Sequence, residues 1–218
     1  HRIHAPKAIK IASPANYVNA LEHAHVIVDI AMRRNFIVEQ INAVANANNA
    51  TAKIDDNLLN LVTGLVEFPV ALLAKFDPQF LRVPKECLIS AMQDHQKCFA
   101  LLDLNSELMP KFILISNLGS TDPQTVICGN ELVMNARLSD AAFYYDKDRQ
   151  NTLESRVEQL QTVVYQKTLG NLYDKVLRVQ KLANFIALQI NADPALTPGR
   201  ITGSFKSTYR AFCVFEFQ

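Results

Sequence analysis

The segment from Pro84 to Asp148 constrains the fold most, because it places a helix, two apolar strands and a second helix next to one another. Pro84 occupies a position typical of a first helical turn, and we predict a helix from there to about His95. Two apolar runs follow, Cys98 to Leu102 and Phe112 to Ser116, separated by the polar stretch DLNSELMPK. Such a pair predicts an antiparallel hairpin. From Pro123 onward the chain is predicted to be mainly helical.

The chain before Pro84 is predicted to contain three helices and two strands. Ser13-Pro14 indicates a helix start, and we expect this helix to reach about Ala24. Apolar residues spaced by three and four predict a second helix from about Ile27 to Ala47. Asp55 or Asp56 can cap a third helix that runs to about Glu67. The short alternating run AIKIA predicts a strand, and PVALLAKF predicts a buried strand because it is short and follows a proline.

Two apolar stripes dominate the region after residue 150. The later stripe alternates three and four residues and predicts one long amphipathic helix; its members are Leu169, Leu172, Val176, Val179, Ala183, Ile186 and Ile190. The earlier stripe has a similar phase and predicts a preceding helix, with Gly170 as a break or kink; its members are Leu153, Val157, Leu160 and Val164. From Ala192 onward the period is lost.

These patterns predict an α+β fold with a small antiparallel sheet or hairpin that ends in long amphipathic helices. We divide the chain into an α+β body (1–118), a helical continuation of the same body (119–191) and a tail of different character (192–218). The chain starts at His1 without a methionine. We therefore expect it to be a piece of a longer protein.

Composition excludes some classes of function. Hydrophobic residues make up 49% of the chain, which is enough for a core. A net charge of +1, from 22 basic and 21 acidic residues, creates no global field for a polyanion, so any nucleic-acid surface must be a local patch. The four cysteines form no CxxC pair, which predicts reduced thiols and a cytoplasmic protein. No apolar run approaches the roughly 20 residues that cross a bilayer, so no membrane association is predicted.

The tetrapeptide Asp94-His95-Gln96-Lys97 lies where the predicted helix meets the first hairpin strand, a junction that often directs side chains outward. One interpretation is structural: His95 and Gln96 satisfy carbonyl groups at the helix end, while Lys97 complements its negative pole. The other interpretation is functional, with these side chains contacting RNA phosphate or a partner subunit.

A second candidate group lies in the helix predicted after Pro123. Gly129 allows close backbone approach, and Asn130 followed by Glu131 suits a helix N-terminus. Arg137 and Tyr144 fall seven residues apart on one helix face, with Asp140 between them. That face could bind RNA, with arginine on phosphate and tyrosine stacking on a base. Alternatively, Arg137 and Asp140 form an internal salt bridge at i, i+3.

No catalytic centre is predicted in this chain. The sequence contains no GxSxG elbow, no GxxxxGK[ST] phosphate loop, no GxGxxG turn and no HExxH motif. His23 and His25 are two residues apart, which places them on different sides of a helix and argues against a metal pair. Basic residues elsewhere, such as Arg33-Arg34, are interleaved with acids and predict a solvated face.

Five segments together resemble the β subunit of bacterial heterotetrameric glycyl-tRNA synthetase. They are HRIHAP, LVTGLVEFPVALLAKF, AMQDHQKCF, VICGNELVMNARLSDAAFYYDKD and LESRVEQLQTVVYQKTLGNLYDKV, and they occur in the family's order. The resemblance runs to about Ile190. It departs at Leu132 and Asn135, where the family tends to have arginine, and the tail after Ala192 does not match the family's continuation.

The resemblance implies a role without chemistry of its own. In that family ATP, Mg and glycine bind to the separate α subunit, so no cofactor is expected on this chain and it should not aminoacylate alone. The expected partners are the α subunit, tRNA(Gly) and the remainder of the β subunit. The family continues into an HD-type domain and an anticodon-binding domain, which are not visible in this sequence. His95, Gln96, Lys97, Asn130, Arg137 and Tyr144 are the residues expected to contact tRNA or a partner.

Two alternative functions stay open. The fold is expected to be similar to the B3/B4 domains of the phenylalanine enzyme, and such domains in some synthetases hydrolyse mischarged tRNA. In that case Asp94, His95 and Gln96 would be the first residues to consider. The third possibility is a purely structural module whose apolar helices dock on other parts of the β subunit or on the α subunit.

Overall fold

The computed structural model describes residues 2–152, 155 and 157–191. The chain forms two compact units, residues 1–145 and residues 146–218. We call them unit 1 and unit 2 and describe each by itself. The predicted boundary between residues 118 and 119 stays a prediction, and the predicted tail, 192–218, lies outside the described residues. Within the described ranges, no helix combines the length and the apolar character that a membrane span requires.

Helices and short strands alternate along the described chain. The α-helices are α1 (Tyr17–His23), α2 (Ile30–Ala47), α3 (Asp56–Leu65), α4 (Lys85–Ser90), α5 (Pro123–Arg149) and α6 (Leu172–Gln189). The strands are β1 (Thr51–Ala52), β2 (Val70–Lys75), β3 (Phe99–Leu102), β4 (Leu108–Ser116), β5 (Val164–Gln166) and β6 (Gly170–Asn171). Shorter helical segments are the 3₁₀ turns Pro14–Asn16, Pro78–Arg82 and Glu158–Thr162 and the π-helix Ala91–His95.

The predicted α+β class is confirmed. Unit 1 contains a four-stranded antiparallel sheet with the order β1-β3-β4-β2. The predicted hairpin forms its centre as β3 and β4, and the predicted strand PVALLAKF pairs with β4 as β2. The strand predicted for AIKIA is wrong. That segment is irregular, and Ile9 and Ile11 remain 41% and 37% exposed, because the alternating pattern finds no sheet edge to pair with.

The sheet lies between two helical layers because strand side chains alternate between its two faces. On β4, Phe112 and Leu114 join the core that contains residues of α4 and α5. Ile113, between them, joins the core formed with α2 and α3. Successive residues of this part of β4 therefore pack alternately into two separate hydrophobic cores.

Side-chain caps define where the main helices begin. Asp55 was one of two predicted caps of α3, and its carboxylate accepts a hydrogen bond from Leu58 N at 3.0 Å. Asp29 caps α2 in the same way, accepting from Met32 N at 2.9 Å. Each such bond satisfies an N–H group that has no partner within the helix. The predicted second and third helices are thus confirmed as α2 and α3, and each begins at an acidic cap.

Unit 2 differs from the prediction in its first half. The helix predicted from the earlier apolar stripe is wrong over the described residues, where the 3₁₀ turn Glu158–Thr162 and the hairpin β5–β6 occupy its place. Leu153 lies outside the described residues. Gly170 closes this hairpin with φ +84°, and a side chain there would overlap the Asp174 carboxylate. The apolar residues are spaced as in a helix, but the chain forms a hairpin here, in which Gly170 supplies the left-handed backbone.

Candidate functional site

The helix predicted from Pro84 changes form before it ends. Its first part, α4, is followed by the π-helix Ala91–His95, and Lys97 then adopts φ +55°. Single π-helical turns are rare and occur frequently at functional sites. A left-handed backbone is likewise uncommon for a residue other than glycine. We call residues 91–97 the π-turn, and it coincides with the AMQDHQK part of the sequence motif.

Local hydrogen bonds hold the π-turn in place. Lys97 Nζ donates to the Asp94 carbonyl oxygen at 2.7 Å, and the Ser90 hydroxyl donates to the Asp94 carboxylate at 2.5 Å. Cys98 N donates to the Met92 carbonyl oxygen at 3.0 Å. The ammonium group of Lys97 thus complements the negative pole at the helix end, as the structural interpretation predicted for this residue. An ammonium group has three donors, so Lys97 keeps donor capacity for a second partner.

A cleft of about 380 Å³ lies between the π-turn and the first turns of α3. Its lining combines two carboxylates, two amides, one amine and two leucines: Asp55, Asn57, Leu58, Leu61, Gln93, Asp94 and Lys97. His95 does not line the cleft; it is exposed beside it. The predicted residues around position 95 are therefore divided between the interior of the cleft and its surroundings.

The charges of this site are arranged unevenly. Asp55 and Asp94 give the lining one more negative than positive charge, since Lys97 is its one cation. Lys53 lies beside the cleft, with its carbonyl oxygen 3.5 Å from Gln93 Nε2, and its side chain is exposed, as is that of His95. Phosphate is repelled by carboxylates and attracted by cations. An RNA backbone would therefore contact the cations Lys97 and Lys53 and stay clear of the two carboxylates.

The second predicted group lies on α5, and the structure gives Asn130 a local role. Its amide donates to the Val126 carbonyl oxygen at 2.8 Å, one turn back in the same helix. The helix begins at Pro123, as predicted, so Asn130 lies within the helix, two turns after its start, and not at its N-terminus. Nothing lies within 4 Å of the position that a Gly129 side chain would take, so the predicted close approach of backbone does not occur in the described structure.

Arg137, Asp140 and Tyr144 share one exposed face of α5, as predicted. No ion pair joins Arg137 to Asp140 within the described ranges, so the alternative of an internal salt bridge is wrong. The Tyr144 ring packs edge-on against Phe143, with ring centroids 5.4 Å apart. The RNA-binding role of this face stays a prediction.

Three polar side chains, to which the sequence analysis gave no role at the sheet, cover the outer edge of β2. Glu131 Oε1 accepts from Lys75 N at 3.0 Å, and Asn135 Oδ1 accepts from Asp77 N at 2.9 Å. Gln40 Oε1, from α2, accepts from Ala71 N at 2.9 Å. Asn135, at a position where the family tends to have arginine, thus binds the sheet edge through its side-chain amide oxygen. No local sequence signal could identify these bonds, because the partners are 31 to 58 residues apart.

The structure places the two predicted groups at opposite edges of the sheet. The π-turn lies beside Lys53, which follows β1 and donates its N–H to the Ala100 carbonyl oxygen. Glu131 and Asn135 of α5 contact β2, the strand at the other edge. The turn of α5 around Asn130 therefore does not adjoin the cleft.

Cys98, next to the π-turn, is expected to be unreactive in the folded protein. Burial raises the pKa of its thiol from 9.0 to about 12, and the thiolate is the reactive form. We expect iodoacetamide at pH 8 to label the exposed Cys87 and Cys128 at least about a hundredfold faster than Cys98, as measured by peptide mass spectrometry. In denaturant all three rates should become similar. Equal native rates would contradict the burial of Cys98.

The same shift makes stability depend on pH. The unfolded thiol ionises near its ordinary pKa of 9.0, whereas the folded thiol keeps its proton up to about pH 12. Between these values the folded state binds more protons than the unfolded state, so stability falls as pH rises. The contribution of the buried thiol is therefore complete below about pH 9 and is lost progressively above it.

Comparison with known proteins agrees with the resemblance seen in the sequence. The sequence profile of the family described as "Glycyl-tRNA synthetase beta subunit" matches residues 1–210. The glycine–tRNA ligase β subunit of Chromohalobacter salexigens is 52% identical over 193 residues, which is 88% of this chain and 28% of that protein. Those of Pseudoalteromonas translucida and Pseudomonas fluorescens are 47% and 46% identical over 90% and 89% of this chain. The chain spans 28% of the length of each of these relatives.

Proposed function

The chain belongs to the glycyl-tRNA synthetase β-subunit family, and from this premise we propose that it is a non-catalytic part of glycine–tRNA ligase. Its role would be to support tRNA binding and to assemble with the catalytic α subunit, which would bind ATP and Mg for glycylation of tRNA(Gly). The remainder of the β polypeptide would be a further partner. By itself the chain is expected not to aminoacylate.

One observation carries the RNA-binding part of this proposal. The π-turn is held by backbone and side-chain hydrogen bonds at a cleft, and the bond from Lys97 Nζ to the Asp94 carbonyl oxygen fixes the direction of the Lys97 side chain before any ligand arrives. Fixed donors lose less conformational entropy on binding than flexible ones. Lys97 on the cleft lining and Lys53 beside it place two cations next to each other on a chain whose net charge is only +1. A local patch is the form of RNA surface that the composition permits.

We expect Lys97→Gly to weaken binding of tRNA(Gly). Glycine keeps the left-handed backbone that Lys97 adopts at φ +55° and removes only the side chain. Loss of one phosphate contact should raise the Kd by about tenfold and reduce the slope of log Kd against log salt concentration by about 1. Filter binding of a tRNA(Gly) transcript to the full chain, between about 50 and 200 mM salt, measures both quantities.

Ser106→Gly is the matched control, because Ser106 is also a left-handed residue, at φ +62°, in the β3–β4 turn. This variant should bind tRNA(Gly) as the unchanged chain does. Equal loss of affinity in both variants would assign the effect to backbone flexibility. If the unchanged chain shows no salt-sensitive affinity for tRNA(Gly), the RNA-binding part of the proposal fails.

A further inference from the structure

Helix α6 presents a group of large apolar side chains to solvent. Isolated exposed leucines are ordinary, but a cluster of them marks an interaction surface. In this group, the five apolar residues with the largest exposed fractions lie within the nine residues before Asn191. They are Leu182 (59% exposed), Phe185 (59%), Ile186 (48%), Leu188 (64%) and Ile190 (67%). We call them the apolar half of α6.

The inward side of the same helix is already occupied. Val176, Ala183 and Ala187 are half-buried or buried within unit 2, where α6 contacts the 3₁₀ turn Glu158–Thr162 and the β5–β6 hairpin. The apolar stripe predicted for this helix is thus only partly buried, because its members Val179, Ile186 and Ile190 stay exposed. Near the end of the helix Ala183 and Ala187 face the unit itself, whereas the larger apolar residues face outward. Internal packing therefore does not explain the apolar half of α6.

Three cations occupy the other end of the exposed side. Lys175, Arg178 and Lys181 each precede an exposed apolar residue by seven positions, namely Leu182, Phe185 and Leu188. Seven residues are close to two helical turns, so each cation and its apolar partner lie in line along the axis. We call Lys175, Arg178 and Lys181 the basic half of α6. Residues 175–191 contain no acidic side chain.

Asp174, the acid nearest in sequence to the basic half, is engaged elsewhere. The Asp174 carboxylate accepts from Asn171 N at 3.0 Å in the capping box of α6. Arg178 donates one bond to the Leu169 carbonyl oxygen at 2.9 Å, and Lys175 Nζ lies 4.4 Å from the centre of the Tyr165 ring. These contacts fix two of the cations without neutralising them. The basic half therefore keeps a net positive charge.

The basic half and the apolar half follow one another along the helix axis, and this arrangement favours one class of partner over others. A helix that lies on a membrane needs its apolar and basic residues on opposite sides along its whole length, whereas here they follow one another on one side. RNA would engage the basic half and leave the large apolar side chains in water. A protein surface that is acidic at one end and apolar at the other matches both halves.

We propose that the exposed side of α6 docks a segment of the β polypeptide that lies outside the part shared with this chain. The relatives are more than three times as long as the shared part, which is 28% of their length, so each supplies such a segment at the high effective concentration of a single molecule. The segment is expected to carry carboxylates opposite Lys175, Arg178 and Lys181 and apolar residues opposite the apolar half. This inference rests on the proposed partnership with the remainder of the β polypeptide, and the contact is separate from the proposed RNA-binding role of the π-turn.

A full-length chimaera tests this proposal. Residues 1–191 of this chain replace the matching part of the Chromohalobacter salexigens β subunit, and the photo-cross-linker p-benzoylphenylalanine replaces Phe185 or, as a control, Leu104, which is 86% exposed in the β3–β4 turn. We expect the cross-linker at residue 185 to capture peptides from outside the replaced part with at least about tenfold higher yield than the cross-linker at residue 104. Mass spectrometry identifies the captured peptides.

Charge and apolar contributions are tested separately in the same chimaera. Leu182→Asp, with the cross-linker at residue 185, should reduce the yield about tenfold. Lys181→Glu leaves the apolar half unchanged and should reduce it about threefold, provided that circular dichroism shows unaltered helix content in both variants. Cross-links confined to the replaced part, to a second copy, to added tRNA(Gly) or to anionic phosphatidylserine vesicles would overturn the proposal. Absence of any cross-link specific to residue 185 would overturn it as well.

Discussion

Replacement of Phe112 by alanine is expected to lower the free energy of unfolding by about 3–5 kcal/mol. Phe112 is fully buried on β4, the strand that pairs with both β3 and β2, and its ring belongs to the core shared with α4 and α5. Truncation removes the ring from that core and leaves a cavity that the surrounding sheet can only partly collapse around. Urea unfolding followed by circular dichroism measures the change.

The control for this substitution is Phe143→Ala. Phe143 is 55% exposed on α5 and packs edge-on against Tyr144, so its truncation should cost no more than about 1 kcal/mol. Both variants remove the same side chain, and the difference between them isolates burial. A loss below about 1 kcal/mol for Phe112→Ala would contradict the central position of β4 between two helical layers.

Replacement of Arg33 by alanine is expected to cost about 2–3 kcal/mol. The guanidinium group donates from Nε to the Thr63 carbonyl oxygen at 2.9 Å and from Nη1 to the Ile27 carbonyl oxygen at 2.6 Å. It thereby joins α2 to the last turn of α3 and to the loop before α2. Hydrogen bonds from a charged donor are stronger than neutral ones, and their loss leaves two half-buried carbonyl groups without this partner.

The adjacent arginine provides the matched control. Arg34 pairs with Asp56 at 2.7 Å, but the Asp56 side chain is 83% exposed and the pair is solvent-screened. We therefore expect Arg34→Ala to cost about 0–1 kcal/mol and to lose even that effect in high salt. Equal costs for the two variants in urea unfolding would show that the bonds of Arg33 to the backbone contribute no more than an exposed ion pair.

These two arginines also show where sequence patterns stop being informative. Their interleaving with acids predicted one solvated face, which is correct for Arg34 and wrong for Arg33. The capping residue Asp55 and the hairpin strands were predictable because their signals are local: an acid before an apolar period, and two apolar runs across a polar turn. The acceptor of Arg33 lies 30 residues away, and no local pattern encodes such a distance.

The candidate site was predictable in position but not in form. The motif AMQDHQK directed attention to residues 94–97, yet its π-helical turn arises because Cys98 N must reach the Met92 carbonyl oxygen as β3 enters the sheet. The strand β1 has only two residues, too few for any periodicity, and it exists because β3 offers it a partner. In both places tertiary pairing overrides the local propensity of the chain.

The side chains that cover the outer edge of β2 have a consequence for how the chain behaves at high concentration. An open strand edge is a template on which another polypeptide can add a strand and begin a fibril. Here the amide groups of Ala71, Lys75 and Asp77 are already bound by Gln40, Glu131 and Asn135. An incoming strand would have to displace all three side chains, and this sheet is thereby protected from growing into an aggregate along that side.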